Sequence, residues 1–359
     1  MQKLGDYIRE VDVRNKDLKV TNLLGVNLNK QFFPSIANII GTDLSKYKVI
    51  KKGQFGCKFM SVGRDGILPI SLLKNDGFAI ISSAYYAFEV IDENILSSDY
   101  LMMWLRRPEF DRQLWFYSGG DVRGGVNYGD FCEMPIIIPS IEQQREIVSE
   151  YETISKRIKL NEQIIKNLEA TAQTLYHKMF VEGIDKENLP EGWRIGTLGE
   201  VATFKYGKLA DKYPQSKEYP YPVFSGYAIT GYTNEYTLEE PTIVIIARGD
   251  AGTGRICMSP QKCFLSNLAI SIETKDKVIK EYLYHHLLES DTMSLRSGSA
   301  QAQITINNVE PFEITIPTRE ECLDFAYNVE TLYKSIVLYK RENEKITELQ
   351  SLLLAKMGR

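Results

Sequence analysis

Over about 45 residues this chain aligns with itself at a fixed offset of 178, with no gap. Pro135-Ile136-Ile137-Ile138-Pro139-Ser140-Ile141-Glu142 answers to Glu313-Ile314-Thr315-Ile316-Pro317-Thr318-Arg319-Glu320. Each is a short β-like run, then proline, then a hydroxyl residue suited to an N-cap, then glutamate two positions on, near the positive end of a helix dipole. Further along, Glu152-Thr153-Ile154 matches Glu330-Thr331-Leu332, and Lys178-Met179 matches Lys356-Met357. A chain built this way has two equivalent frames, each leading into a long helix.

The helices carry heptads. Ile147, Tyr151, Ile154, Ile158, Asn161, Ile165, Leu168, Ala172, Leu175 and Met179 alternate in steps of four and three. Phe325, Val329, Leu332, Ile336, Tyr339, Asn343, Ile346, Gln350, Leu353 and Met357 occupy the same positions in the second copy. Such a seam asks for a partner helix. At 1.5 Å per residue, about 40 residues make a rod roughly 60 Å long. An antiparallel pair centred near Gln163 and Arg341 sets Asn161 opposite Asn343, a polar pair that fixes register.

The segments before the helices read as mixed α/β. Strand-like runs are 47–50, 57–60 and 78–81 in the first, and 242–247 and 268–272 in the second; helical stretches follow at 98–116 and 278–290. Leu4-Gly5-Asp6 and Leu198-Gly199-Glu200 open the two segments alike. Glu182-Gly183-Ile184-Asp185 and Leu189-Pro190-Glu191-Gly192-Trp193 have linker punctuation. The expected fold class is α+β: two mixed α/β domains at 1–139 and 184–317, joined by long helices at 140–183 and 318–359. The helices form an antiparallel coiled coil, and the whole is an internal pseudo-twofold repeat.

Charge and motifs exclude much. Residues 1–139 carry 17 basic and 16 acidic groups, and 184–317 carry 13 and 17, so neither segment is a non-specific polyanion coat. Five cysteines without a CxxC pair indicate neither a disulfide framework nor a zinc site, and a reducing cytoplasm is the expected setting. No run of eighteen apolar residues and no apolar N-terminal stretch exist, so neither membrane span nor signal peptide is expected. Gly249-Asp250-Ala251-Gly252-Thr253-Gly254 has Walker spacing without the Lys-Ser/Thr that would hold phosphate and magnesium. The adjacent His285 and His286 cannot both face one metal, and no nucleophile elbow, GxGxxG or methyltransferase Asn-Pro-Pro-aromatic motif is present. No catalytic residue, metal or cofactor is expected.

What remains is polar loop chemistry. Gly53-Gln54-Phe55-Gly56-Cys57-Lys58, Gly63-Arg64-Asp65-Gly66 and a loop through Arg123, Asn127 and Tyr128 serve the first segment. Phe204-Lys205-Tyr206-Gly207-Lys208, Phe224-Ser225-Gly226-Tyr227, Ala247-Arg248-Gly249-Asp250 and Ser297-Gly298-Ser299-Ala300-Gln301-Ala302-Gln303 serve the second. Arg and Lys suit phosphate or guanine, Asn and Gln suit adenine edges, and aromatics pack on sugar or base.

These features resemble the DNA-specificity (S) subunits of Type I restriction-modification enzymes. Ile138-Pro139-Ser140-Ile141-Glu142-Gln143-Gln144-Arg145-Glu146-Ile147 is similar to the family's strand–proline–helix junction; the second junction departs from it at Arg319 and Glu321-Cys322. Phe224-Ser225-Gly226-Tyr227, Ala247-Arg248-Gly249-Asp250-Ala251-Gly252 and Ser297-Gly298-Ser299-Ala300-Gln301 resemble its second-domain signatures. The resemblance covers essentially the whole chain. It implies two target-recognition domains, each reading one half of a bipartite target in double-stranded DNA, with the coiled coil setting the spacer. It implies partners too: two modification (methyltransferase) subunits, which hold the S-adenosylmethionine, and separate restriction or motor subunits. Expected direct contacts are Lys58, Arg64, Arg123, Asn127 and Tyr128, and Lys205, Tyr206, Tyr227, Arg248, Arg255, Gln301 and Gln303. Two readings stand against this one: a coiled-coil scaffold without DNA contact, and a methyltransferase or nuclease with an unrecognised site.

Overall fold

The computed structural model describes residues 2–35, 41–117, 126–185, 187–249, 252–297 and 303–358. The chain divides into two compact units: Met1–Asn161 with Arg341–Arg359, and Glu162–Lys340. Each unit therefore takes a portion of both long helices, Ile141–Phe180 and Arg319–Lys356.

The first unit holds a four-stranded antiparallel sheet in the spatial order Ile8–Glu10, Tyr86–Val90, Gln54–Cys57, Ile70–Leu72. The second unit repeats that order with Ala202–Tyr206, Ala269–Thr274, Ile243–Ile246 and Ile256–Met258. In both, the sheet's first and last strands in chain order pair with each other, and its two middle strands form the far side. The central strands are largely buried: Phe55 and Phe88 stack at 4.7 Å, and Ile243 to Ile246 are all excluded from water. Burial of this kind stabilises by about 25 cal/mol per Å² of apolar surface.

A second strand pair closes each segment. Gln2–Lys3 pairs with Pro135–Ile136, and Arg194–Thr197 pairs with Glu313–Ile316. The Leu4 amide donates to the Met134 carbonyl (2.9 Å), and Leu198 donates to Phe312 (2.8 Å). The matching glycines are now explained. A Cβ on Gly5 would stand 2.7 Å from Cys132 Cβ, and one on Gly199 2.6 Å from Glu310 Cγ. Both glycines permit the same close approach.

The offset of 178 reaches further back than the sequence comparison suggests. Asn127 and Asp130 form a capping box, and so do Thr305 and Asn308. Tyr100 donates its hydroxyl to the Ile137 carbonyl (3.0 Å), and Tyr282 donates to Thr315 (2.5 Å), the acceptors again 178 apart. The helix starts are capped by Ser140 with Gln143 and by Thr318 with Glu321. The partner in each box is the third helical residue, while Glu142 and Glu320 lie in the first turn, at the positive end of the dipole as expected.

All twenty heptad positions are buried or half-buried. In the first unit the helices run antiparallel: Gln350 Nε2 donates to Ser155 Oγ (2.7 Å), Arg157 pairs with Glu342 (2.9 and 3.1 Å), and Asn161 Nδ2 donates to Asn343 Oδ1 (2.8 Å). The expected asparagine pair is present, and Asn161 is fully buried. In the second unit Lys340 faces Glu169 at 3.7 Å.

Two expectations are corrected. The strand near 57–60 is Gln54–Cys57; the chain then turns into a short 3-10 helix, Phe59–Ser61, because Phe59 turns into the core rather than continuing a ladder. The helix expected at 98–116 is two, Ser98–Leu105 and Pro108–Tyr117. Pro108 lacks the amide needed to continue the first and is well placed to begin the second.

Candidate nucleic-acid interface

The sheet register gathers the second unit's candidates at one end. Tyr206 pairs with Ile270, Ile246 with Ala269, and Ile245 with Ile256. The end of the first strand, the start of the last, and the hairpin between the middle two therefore meet. Arg248 and Arg255 flank that hairpin and are both exposed. The Ile304 amide donates to the Ala247 carbonyl (2.9 Å), and Gln303 bridges to Ser297, which brings Gln303 alongside. Tyr206 is 47% exposed, and its hydroxyl accepts from the Ile306 amide (3.0 Å). Tyr227 is 61% exposed at the tip between Tyr221–Phe224 and Ile229–Thr233. Cys257 Sγ donates to the neighbouring Gly226 carbonyl (2.8 Å) and holds that tip over the same end.

Gly207 explains how the first strand reaches its neighbour. A Cβ there would fall 2.0 Å from the Ser266 carbonyl oxygen, so only glycine allows the approach. It delivers Lys208, exposed and beside Tyr213, to the cluster. Lys208 closes the loop that the sequence singles out but is not among the expected direct contacts. Nor is Arg296, whose guanidinium donates to the Thr253 carbonyl (2.9 Å) and ties the hairpin to the segment before Gln303.

Lys205 parts company with this group. Strand alternation sends it to the other face of the sheet from Tyr206. There it pairs with Glu273 (2.9 Å) and lines a cleft of 1140 Å³ beside Tyr327, Glu330 and Val337 of the second long helix.

In the first unit the equivalent sheet end lies where Cys57 meets Tyr86 and Ile70. Lys58 directly follows its strand, as Ala247 and Arg248 follow theirs. Lys58 and Arg64 line one groove of 540 Å³ with Asn27, Leu28, Asn29 and Phe33. Arg64 clasps Asp65 with two bonds of 2.9 and 2.8 Å, which lifts its own proton affinity and holds the Asp65 carboxyl below the usual range.

Asn127 and Tyr128 have structural tasks. Asn127 Oδ1 accepts from the Asp130 amide, and its own amide donates to Asp130 Oδ2, both at 3.0 Å. Tyr128 stacks on Tyr86 at 5.7 Å and packs beside Phe131, where burial pushes its hydroxyl pKa upward. Arg123 and Gln301 lie outside the described residues; they are 178 apart and hold the same place in the two copies.

The expected chemistry of the histidines also resolves. Gln173 donates its amide to Glu289 (2.6 Å), which turns its oxygen toward His285 Nδ1, while Tyr333 meets His285 Nε2. His285 is buried in this network, and desolvation lowers its pKa to about 4. Among the described residues, no group of three His, Cys, Asp or Glu side chains could hold a metal ion. Among the same residues, no helix is long and apolar enough to cross a membrane.

Comparison with known proteins agrees with the duplicated frame. The model of the Type I restriction modification DNA specificity domain matches residues 35–170 and again 190–348. The chain belongs to that family. It is 22% identical over 259 residues to the MjaX type I restriction enzyme specificity subunit of Methanocaldococcus jannaschii, covering 65% of this chain. It is 25% identical over 134 residues to a type I specificity subunit of Mycoplasma pneumoniae, covering 36% of this chain. These matches span 60% and 36% of the two relatives' own lengths. Its fold is similar to the crystal structure of the type I restriction-modification S subunit from M. genitalium, with a TM-score of 0.61, 18% identity, and coverage of 99% of this chain and 95% of that one.

Proposed function

We propose that this chain is the sequence-reading subunit of a type I restriction-modification assembly. Each unit reads one half of a bipartite target in double-stranded DNA. The observation that carries this reading is the pair of equivalent sheet ends, each presenting basic and polar side chains from several loops. Arg248, Arg255, Tyr206, Tyr227 and Gln303 converge in one, and Lys58 and Arg64 in the other. A lone polar loop is ordinary; the same topological edge furnished twice, with different side chains, suits two readers of different bases. Arg123 and Gln301 belong to the same reading through their shared place in the repeat. Asn127 and Tyr128 support the reading loops from behind, and Lys205 serves the cleft beside the second helix.

The chain is non-catalytic in this reading and needs no cofactor of its own. Adenine methylation falls to two modification subunits, and cleavage to separate restriction subunits, in the cytoplasm. The long helices set the unread spacer and dock the modification subunits. Linked readers gain affinity through high effective concentration.

Selection from a randomised duplex library with the full chain and its modification subunits tests this. A motif in two parts with a constant gap is expected. Arg248→Ala should relax one base position of one part, at about 1–3 kcal/mol. If Arg248→Ala and Gln301→Ala leave both parts unchanged, the second reading edge is misplaced. Methyl transfer by the chain alone with S-adenosylmethionine would make it an enzyme. A chain that selects no motif is a scaffold.

A further inference from the structure

The hairpin of strands Leu24–Val26 and Phe32–Pro34 has its polarity inverted. A surface hairpin ordinarily turns apolar side chains inward and charges outward. Here Leu28 is 46% exposed and Phe33 38%, while Lys30 at the tip is 5% exposed. Lys30 has φ +58, a left-handed conformation uncommon for lysine. That conformation turns its chain inward, where Nζ donates to the Leu105 carbonyl and to Asp111 Oδ2 (2.7 Å). Asp111 Oδ1 in turn accepts from the Leu68 amide (3.1 Å).

A buried ion pair of this kind contributes little net stability, because desolvation offsets the attraction. Burial pushes Lys30 toward losing its proton and Asp111 toward keeping one, while each opposes the shift in the other. What such a pair does provide is a fixed place. The tip is further closed by Gln31, whose amide donates to Asn27 Oδ1 (3.0 Å). The result is a rigid finger with Leu28 and Asn29 outward, forming one wall of the groove that holds Lys58 and Arg64.

We infer that the 27–29 tip is a base-reading element of the first unit and that Lys30 and Asp111 are its positioning residues. The inference rests on the DNA-reading function proposed above. An outward amide on Asn29 suits an adenine edge, and the methyls of Leu28 suit a thymine methyl in the major groove. Lys58 and Arg64 across the groove suit the flanking phosphates. The tip is the first unit's counterpart of the Tyr227 tip, since both cap a hairpin inserted between the first and second strands of the sheet.

The test is motif selection by the full chain from a randomised duplex library, repeated with Asn29→Ala, with Leu28→Ala, and with Lys30→Met combined with Asp111→Asn, whose oxygen still accepts from the Leu68 amide. Removing both charges together avoids leaving one buried and unpaired. Each exposed-tip variant should lower base preference by about tenfold at one or two adjacent positions of a single half-site, leaving the other half-site intact. The double variant should blur those same positions while its thermal unfolding stays close to wild type. If the wild-type chain selects a bipartite motif and all three variants return it unchanged, the inference is overturned while the proposed function stands. Variants that keep the motif but lose binding to a modification subunit would make the tip a protein-docking surface, which also overturns it. A wild-type chain that selects no motif brings down both.

Discussion

The two units join their long helix to their globular segment at the same place in the repeat but by opposite means. In the first unit the joint is made of directed hydrogen bonds. Gln144 is fully buried; its Nε2 donates to the Ile95 and Pro139 carbonyls (2.8 and 2.9 Å), and its Oε1 accepts from the Ser97 amide (2.9 Å). Its counterpart 178 residues on is Cys322, also buried and packed in an apolar cluster. There the joint is aromatic: Tyr176, Phe180 and His285 surround Phe325, whose counterpart Ile147 is only half-buried. The frame is therefore indifferent to which interaction fills it, provided that strand, cap and helix keep their spacing. Directional and apolar packing can replace each other at one joint, as interiors accept different fillings of similar volume.

The sharpest way to break this comparison is at Phe325. Phe325→Ala should cost about 3–5 kcal/mol, since it empties the centre of a buried cluster. The equivalent Ile147→Ala should cost about 1–2 kcal/mol, below the range for fully buried residues because the site is partly open. Hydrogen exchange read segment by segment would show protection lost in the second unit for the first variant and in the first unit for the second. Equal losses would mean the joints are not as different as their packing.

Acid should separate the units next. All three histidines, His177, His285 and His286, lie in the second unit. His285 titrates near 4 when folded, against about 6.5 when exposed. Below about 6.5 the unfolded chain therefore takes up a proton that the folded chain refuses. The second unit should lose stability as pH falls from about 6.5 to about 4, with no further loss from this group below that. The full effect is roughly 3 kcal/mol. Urea midpoints measured across this window for wild type and His285→Gln check it: the variant should lose the excess slope, and an unchanged slope would assign it to carboxylates instead.

An effect smaller than that of acid is expected from an exchange at the joint itself. Gln144→Cys gives the first unit the second unit's residue and removes the side-chain bonds to the Ser97 amide and the Ile95 and Pro139 carbonyls, at about 2 kcal/mol. A near-neutral thermal shift would show that water replaces the amide.

How much of this was legible in the sequence follows from what each feature needed. The long helices and the Asn161–Asn343 pair were readable because a heptad is a local pattern and its partner was in the same chain. The sheets were not, because their order joins the sheet's first strand to its last in chain order, as Ile8 to Val90 and Ala202 to Thr274, and no local period records that pairing. The Phe59 turn was mistaken for strand because alternating apolar residues fit either ladder or core. At the sites, Arg248, Arg255, Tyr227 and Gln303 were placed by motif and fell together. Asn127 was ambiguous because a cap and a base reader use the same amide. The 27–29 tip was invisible because its apolar residues face outward and its lysine inward, the reverse of what a pattern search expects.

The strand pair that closes each segment has one more consequence. Because Gln2–Lys3 lies beside Pro135–Ile136, and Arg194–Thr197 beside Glu313–Ile316, each globular segment enters and leaves its frame at neighbouring strands. Paired strands stand only about 4.8 Å apart. A segment with adjoining ends behaves as a cassette, and chains of this kind tolerate insertion and permutation. A foreign segment bounded by the same Leu-Gly turn and the same strand–proline junction could be spliced in without rerouting either helix. The halves would then be exchangeable as whole units rather than residue by residue.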